Sequence, residues 1–598
     1  MSSQFLKKIK NLLVKNQAVI LVIMVIFAGF LLRALFPLQR EFSFDQAQIA
    51  QAAEKILKGQ LTLIGPQTGP AAFHTGPLIY YIAAVVYFFT NLHPIANTVL
   101  ALVIYLLTAI SIFFILKSLL DEKLALVFTA IYCLSPYFVS LDKITWNPNF
   151  SFLSATLVLA SLLSAIRKKI KKIHFISGFA GAFLAYQAHF SGFIILFILA
   201  IYCLLACRKK HCSLSFFTAA GFLFSLLPLL IFDLRHQFLN AKGFFAMLFD
   251  VEKVHFKIGL ASRFLKSSLI SLENATKIFY IFLPKLSLVF LGLLIIALWF
   301  FASRSFFNKK QRVFLLLWIV SFPFVFMFYR GSLPEYYFLM QLPALVFLIA
   351  DLLKQAKFPQ RFYIFSTVLF FLSLGYALNQ KIDISLDKKL KALKYIKKET
   401  EPESIRLIYD IELKHQFGWD WLVDYLDIKI DKKSENLVHL IFPLKAETLY
   451  SERFDNLGVW FDKRNKTAGT AYIDKENTIL FYYPENFIKL GSLEKEFYPT
   501  DESIKITAFV PKEKNWKLSE ESIVYTYLPK EEKEVYLKTD FKEPTVLGKW
   551  QQTKFKNKNL ENYFSVHYLT DKNVYIISFP KIYSLDKISE FLEKAEIK

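Results

Sequence analysis

Apolar runs of about 20 residues, the length that crosses a bilayer as a helix, recur through the first 380 positions and are separated by short basic clusters. The pattern predicts crossings over roughly 17–37, 94–117, 122–141, 149–166, 173–189, 191–207, 213–232, 279–302, 313–330, 335–352 and 361–379. One apolar segment, Pro77–Leu92, is too short: its 16 residues span about 24 Å as a helix against a hydrocarbon core of about 30 Å. It is expected to lie in or dip into the outer interface, with Tyr80, Tyr81 and Tyr87 at headgroup level; a short tilted crossing is the alternative. After residue 380 the period shortens. LDKKLKALKYIKKE predicts a basic amphipathic helix, GWDWLVDYL an aromatic one and SLDKISEFLEKAEI a last one. IRLIYDI, LVHLIF, SIKITAF, SIVYTYL, YFSVHYL and VYIISF read as strands. The expected fold is a polytopic α-helical membrane protein of about eleven transmembrane helices plus interfacial helices. Residues 1–380 form the membrane domain and 381–598 a C-terminal extracytoplasmic α+β domain.

Charge orients this arrangement. Residues 1–380 carry 35 Lys+Arg against 12 Asp+Glu, whereas the rest is balanced, so the whole formal charge of +23 lies among the apolar runs. Nucleic-acid recognition wants one continuous basic patch, so it is set aside. Lys7, Lys8, Lys10 and Lys15 precede the first span, and later clusters begin at Arg167, Arg208, Arg304 and Lys354. Placing them all in the cytoplasm leaves the N-terminus inside and residues 380–598 outside. Nine of the twelve acidic residues of the membrane part then face outward, among them Glu41, Asp45, Asp142, Asp233, Glu273 and Glu335. Chemistry is therefore expected at the outer face. The N-terminal segment is too long and apolar for a cleaved signal and is read as a retained span. The four cysteines, Cys133, Cys203, Cys207 and Cys212, all lie in the membrane part, so no disulfide framework serves the C-terminal domain and zinc spacing is absent.

The first outer loop, Leu38–Gly76, is the richest stretch. Ser43 and Gln46 fit a capping box, Ile49, Ala53, Ile56 and Leu57 form one apolar face, and Gly59 suits a C-cap. Asp45 falls in the first turn of that helix, where the helix dipole favours a carboxylate: a stabilising role or a chemical one. Gly65, Pro66, Gly69, Pro70, Gly76 and Pro77 then shape a loop that delivers His74, either an ordinary exposed histidine or a site residue. Outer loop 233–278, with Phe244, Phe245, Met247, Leu248 and Phe249, is long enough for one or two surface helices that gate a lipid or an acceptor.

A single span, then FDQAQIAQAAEKILKG, then a His/Gly/Pro stretch running into PLIYY resembles the C-type (GT-C) membrane glycosyltransferases. The nearest group is family 39, which includes protein O-mannosyltransferases and the aminoarabinose transferases of lipid A. SPYFVSLDKITWNPNF, PLLIFDLRHQFLN and LPEYYFLMQLPALVFLIA continue the resemblance, which covers about 1–380 and lies in the order of the pieces. It implies inverting transfer of a sugar from a polyprenyl-phosphate donor to an acceptor hydroxyl, with Asp45 as catalytic base. A carboxylate there would take the proton the attacking hydroxyl sheds. Many family members have an acidic residue next; here it is Gln46, and Asp142 could supply a second carboxylate unless Lys143 neutralises it. A hard cation wants several oxygen ligands, so no cofactor is expected, with a divalent metal held by these carboxylates as the alternative.

The lipid phosphate that leaves needs donors or cations where its charge develops. Arg235 and His236, Lys143 and Arg330 are the outer-face candidates, with a structural pair to Asp233 the alternative for Arg235 and snorkelling the alternative for Arg330. Trp146 and Asn147 could contact a sugar or anchor a helix end, and His189 could touch substrate or simply pack. Glu335 is a further site candidate beside Tyr336 and Tyr337, read as membrane-belt residues. The expected partners are the bilayer, the polyprenyl-phosphate sugar and an acceptor of unspecified class. Two other readings share much of this sequence: a transporter or flippase of lipid-linked sugars, which would want midplane polar groups or broken helices, and a glycan polymerase or ligase on a related scaffold.

Overall fold

The computed structural model describes residues 17–68, 73–206, 209–249, 259–279, 305–329, 333–354, 360–412, 415–434, 436–444, 450–462, 470–473, 479–483, 487–490, 506–511, 523–530, 545–555, 563–570, 573–581, 583–593 and 595–597, with single positions in the gaps. The chain forms two compact units, Met1–Asp387 and Lys388–Lys598.

In chain order, the first unit contains α1 (Gln17–Ala34), α2 (Phe44–Leu57), α3 (Leu78–Phe89), α4 (Ala96–Leu119), α5 (Glu122–Leu134), α6 (Pro136–Asp142), α7 (Phe150–Arg167), α8 (Lys172–Ala188), α9 (Phe193–Ala206), α10 (Lys209–Ser225), α11 (Leu227–Arg235), α12 (Leu239–Phe249), α13 (Leu260–Lys277), α14 (Lys309–Phe326), α15 (Leu342–Lys354) and α16 (Gln360–Asn379). Among the described residues, α1, α4, Asn147–Arg167 and α16 are long and apolar enough to cross a membrane, and the bent pairs α5–α6 (61°) and α10–α11 (43°) would bring the number to six. The sequence pattern suggests eleven, and the difference has local causes. Pro136 breaks the run 122–141 after Ser135, and Pro228 opens α11. α8, α9 and α15 are helices of 17, 14 and 13 residues. In 335–352 the first residues form a 3₁₀ turn, Glu335–Phe338, so the helix starts only at Leu342. Most of 279–302 lies outside the described residues. α3, at 12 residues, spans about 18 Å and is too short to cross.

α7 is the buried centre. Small polar residues bring α8 against it: Ser154 Oγ donates to Gly181 O (2.7 Å), Ser177 Oγ to Leu157 O (2.9 Å) and Ser161 Oγ to His174 O (2.7 Å). Beside it Tyr132 stacks on Phe152 at 5.1 Å. Gly29 lets α1 approach α4 and α5, since a Cβ there would collide with Tyr105 Oη and lie 2.7 Å from Cys133 O. Cys203 and Cys212 form a disulfide across the short connection from α9 to α10, a pairing the sequence reading did not anticipate.

In the second unit, helix α17 (Leu386–Thr400) precedes β3 (Arg406–Ile411), α18 (Trp419–Tyr425) and β4 (Leu437–Phe442); β1 (Gln67–Thr68) and β2 (Phe73–His74) belong to the first unit. β3 and β4 pair in parallel, and β5 (Glu452–Phe454) and β6 (Leu457–Asp462) complete a sheet of order β3-β4-β6-β5. A larger antiparallel sheet includes Ile506–Pro511, Ile523–Pro529, Trp550–Phe555, Tyr563–Leu569 and Asn573–Pro580. Its core, with Phe509, Tyr525, Trp550, Ile577 and Phe579, is closed by α19 (Leu585–Glu593) through Ile588 and Leu592. The second unit is thus a C-terminal sheet region with helices beside its sheets.

Candidate active site at the outer loops

α2 begins where local chemistry says it must. Ser43 N–H and Oγ–H both donate to Gln46 Oε1 (3.0 and 3.1 Å), and Gly59, at φ +83°, ends the helix. Ile49, Ala50 and Ala53 are buried, whereas Leu57 is exposed. Gln46 is a fold residue: its Nε2 donates to Thr145 O at 2.8 Å and ties the helix to the loop that follows α6. Its neighbour Asp45 is left with no ion pair and no side-chain hydrogen bond among the described residues. Burial, and then the charge of Glu41, push the Asp45 carboxyl up to about 6. Burial and the charge of Asp45 in turn raise the phenols of Tyr80 on α3 and of Tyr336.

Three loop segments converge close by. β1 and β2 pair as a two-residue hairpin, Gln67 opposite His74. His74 N–H donates to Asn240 Oδ1 (2.6 Å), and His74 Nδ1 lies 2.9 Å from Gly65 O. Asn240 is fixed by Asp233, whose carboxylate accepts from the backbone N–H of Asn240 (2.7 Å) and Ala241 (3.0 Å) at the start of α12. Asn147 Nδ2 donates to Thr75 Oγ1 (3.2 Å) and to Ala188 O (2.5 Å), joining the chain around residues 75, 147 and 188. At Gly76 a Cβ would collide with the Gln187 side chain, which accepts from Leu78 N–H and so caps α3. Trp146 and His189 both stand against Tyr336, with ring centroids at 4.8 and 5.6 Å. His189 also packs on Phe190 and Tyr337. Asp45, Trp146, His189 and Tyr336 thus form one chain of neighbours.

The other candidates lie elsewhere or are already engaged. Asp142 is buried and paired with Arg33 (2.7 Å), whose guanidinium also donates to Cys133 O (2.7 Å) and Tyr132 O (3.1 Å) and stacks over Tyr105 at 4.1 Å. The neutralising partner is Arg33, not Lys143. Lys143 Nζ reaches Gln380 Oε1 at 3.4 Å, and burial, with Arg40 and Arg33 behind it, lowers its pKa to about 8. Arg40 is buried beside them, donating to Lys143 O and Arg33 O. Glu335 pairs with Lys277, which also binds Glu273 at 2.9 Å; burial alone would pull Lys277 down, but the two carboxylates hold it above its usual range. Arg235 is exposed at the end of α11, and no described carboxylate pairs with it, so the pair with Asp233 does not form. His236 is exposed and stacks on Phe232 at 4.1 Å. Arg330 lies outside the described residues. The loop 233–278 holds two helices, α12 and α13, with 250–258 outside the described residues. Among the described residues, no group of three or more His, Cys, Asp or Glu is placed to hold a metal ion.

The sequence reading passed over three residues. Tyr80 and Tyr336 look like belt residues in a chain so rich in tyrosine, yet both feel the charge of Asp45. Arg33 gave a usable signal: a lone arginine in an apolar span demands an internal partner.

This is the fold of the C-type membrane glycosyltransferases. ArnT, an aminoarabinose transferase from Cupriavidus metallidurans, in its apo state matches with a TM-score of 0.50 over 75% of this chain and 98% of its own, at 12% identity. The same protein bound to undecaprenyl phosphate gives 0.49 at 10% identity over the same shares. The Archaeoglobus fulgidus oligosaccharyltransferase tethered with an acceptor peptide gives 0.43 at 14% identity, over 70% of this chain and 64% of its own. No family model matches the sequence, and no curated protein does.

Proposed function

We propose that this protein is an integral membrane glycosyltransferase that moves a sugar from a polyprenyl-phosphate donor to an acceptor hydroxyl at the outer face of the membrane. Asp45 is the base, and the observation that carries the reading is its state. A half-buried carboxylate without a cationic partner, held near 6, is a proton acceptor tuned close to neutral pH. The acceptor O–H gives its proton to an Asp45 oxygen as its oxygen bonds to the anomeric carbon. The bond from that carbon to the phosphate oxygen breaks, and its electron pair leaves with the polyprenyl phosphate. Attack from the face opposite the phosphate inverts the anomeric configuration. In this reading the exposed Arg235 guanidinium meets the departing phosphate, since arginine's fixed fork of donors suits phosphate. In this reading the N-terminus is cytoplasmic and Asp45 lies outside, an orientation the distribution of basic clusters supports.

The experiment is transfer of labelled sugar from a panel of undecaprenyl-phosphate sugars in membranes carrying the native chain or Asp45→Asn, with protein level and carrier binding matched. Loss of about 100-fold or more with carrier binding intact supports Asp45 as base. Transfer retained by the variant removes Asp45 from the mechanism, and no transfer from any donor removes the transferase reading.

A further inference from the structure

His189 is 2% exposed, and the two nitrogens of its ring are used unequally. Ser191 engages Nδ1 twice, with its Oγ 3.0 Å away and its backbone N–H donating from 3.2 Å. An amide N–H can only donate, so Nδ1 is the unprotonated acceptor and the proton of the neutral ring sits on Nε2. That Nε2–H is buried and has no hydrogen-bond partner among the described residues. A buried donor without a partner is costly, and the cost is relieved when a ligand oxygen arrives.

The surroundings say what kind of oxygen. The imidazole stands edge-on to Tyr336, at 84°, and Tyr336 meets the Trp146 ring at 59°. The result is an aromatic corner of the sort that flanks the apolar faces of a pyranose or furanose ring, with the Asp45 charge acting on its Tyr336 wall. A second proton on His189 would have to go on Nδ1, where it would face the Ser191 N–H. The ring is thereby held as a neutral single donor, suited to a hydroxyl or ring oxygen and without the positive charge that phosphate-binding side chains bring.

We infer that the His189 Nε2–H donates a hydrogen bond to a hydroxyl oxygen of the donor sugar, seated in the corner made by Trp146 and Tyr336, so that His189 positions the sugar beside Asp45 and helps to select it. The inference rests on the transferase reading above. It concerns sugar recognition only.

The test compares native protein, His189→Phe, which keeps a ring of similar size without the donor, and His189→Gln, which restores an N–H at similar reach. Each is assayed for kcat and KM with undecaprenyl-phosphate sugars and for binding of bare undecaprenyl phosphate. We expect His189→Phe to lower kcat/KM for the sugar donor about 10-fold, His189→Gln to recover part of it, and bare-carrier binding to be equal in all three. With a set of monodeoxy donors, one should lose as much with the native protein as the full donor loses with His189→Phe, and the two losses should not compound. Unchanged kinetics in His189→Phe, or an equal loss for the bare carrier, overturns the inference while leaving the transferase reading intact. A native protein that neither transfers from any donor nor binds sugar-bearing carrier better than bare carrier overturns both.

Discussion

Asp45→Asn should do two opposite things at once: abolish transfer and stabilise the protein above pH 6. The carboxyl rises from an ordinary 3.8 to about 6 on folding, because it is buried beside Glu41 without a cation. About 2 units at about 1.4 kcal/mol each set a ceiling near 3 kcal/mol on the cost of ionising it in the folded protein. The group is partly accessible, and solvent screening reduces this to roughly 1 kcal/mol. The sign follows from proton linkage. Between pH 4 and 6 the folded protein holds this proton and the unfolded chain does not, so this group lowers stability as pH rises through that window, with no further change above it. An amide cannot ionise. Thermal unfolding midpoints in detergent should therefore be higher for Asp45→Asn than for native protein at pH 8, with the gap closing by pH 4. A carboxylate that merely served the helix dipole would behave the other way, its loss costing about 0.3–1 kcal/mol at pH 8. Destabilisation of the variant at pH 8 would refute the reasoning, whatever happens to activity.

The same ionisation should make kcat/KM for transfer rise with pH through about 6 and then level, and a profile flat from pH 5 to 8 would count against Asp45 as base. Asp142→Asn and Arg33→Met should each cost about 3–5 kcal/mol by leaving a buried charge alone; the double variant should recover much of the yield of folded protein, as measured by monodisperse material on gel filtration. Gln46→Ala should lower the unfolding midpoint by an amount equivalent to about 1–2 kcal/mol, because it removes both the acceptor for Ser43 at the start of α2 and the link to Thr145 O.

What could be read from the sequence was local. The start of α2 at Ser43 and Gln46 and its stop at Gly59 depend on residues within one turn of each other, and they fold as their chemistry dictates. The strands of the C-terminal unit were legible where β-branched and aromatic residues cluster, as in VYIISF. They were not where the strand is short or polar, as in Trp550–Phe555. Helix breaks were underestimated because hydropathy averages over Pro136 and Pro228, and each proline bends a run that composition alone treats as continuous. The site escaped for a different reason. Tyr336 matters only because Trp146, His189 and Asp45 reach it from distant loops, and nothing within ten residues of it says so. Asp142 was weighed against its neighbour Lys143, yet its partner sits more than a hundred positions upstream.

That separation has a consequence for biogenesis. Arg33 and Asp142 are 109 residues apart, so at about 5–20 residues per second the ribosome delivers the carboxylate roughly 5–20 s after the arginine. During that interval the first span must enter the translocon carrying a lone cation, at a cost of about 2.5–3.5 kcal/mol were it to sit at the bilayer centre. Its place in the last turn of α1 lets the guanidinium wait at the headgroups until the bent α5–α6 pair arrives. Closure of the pair would then join the first helix to α5 and α6 well before Tyr336 has been synthesised.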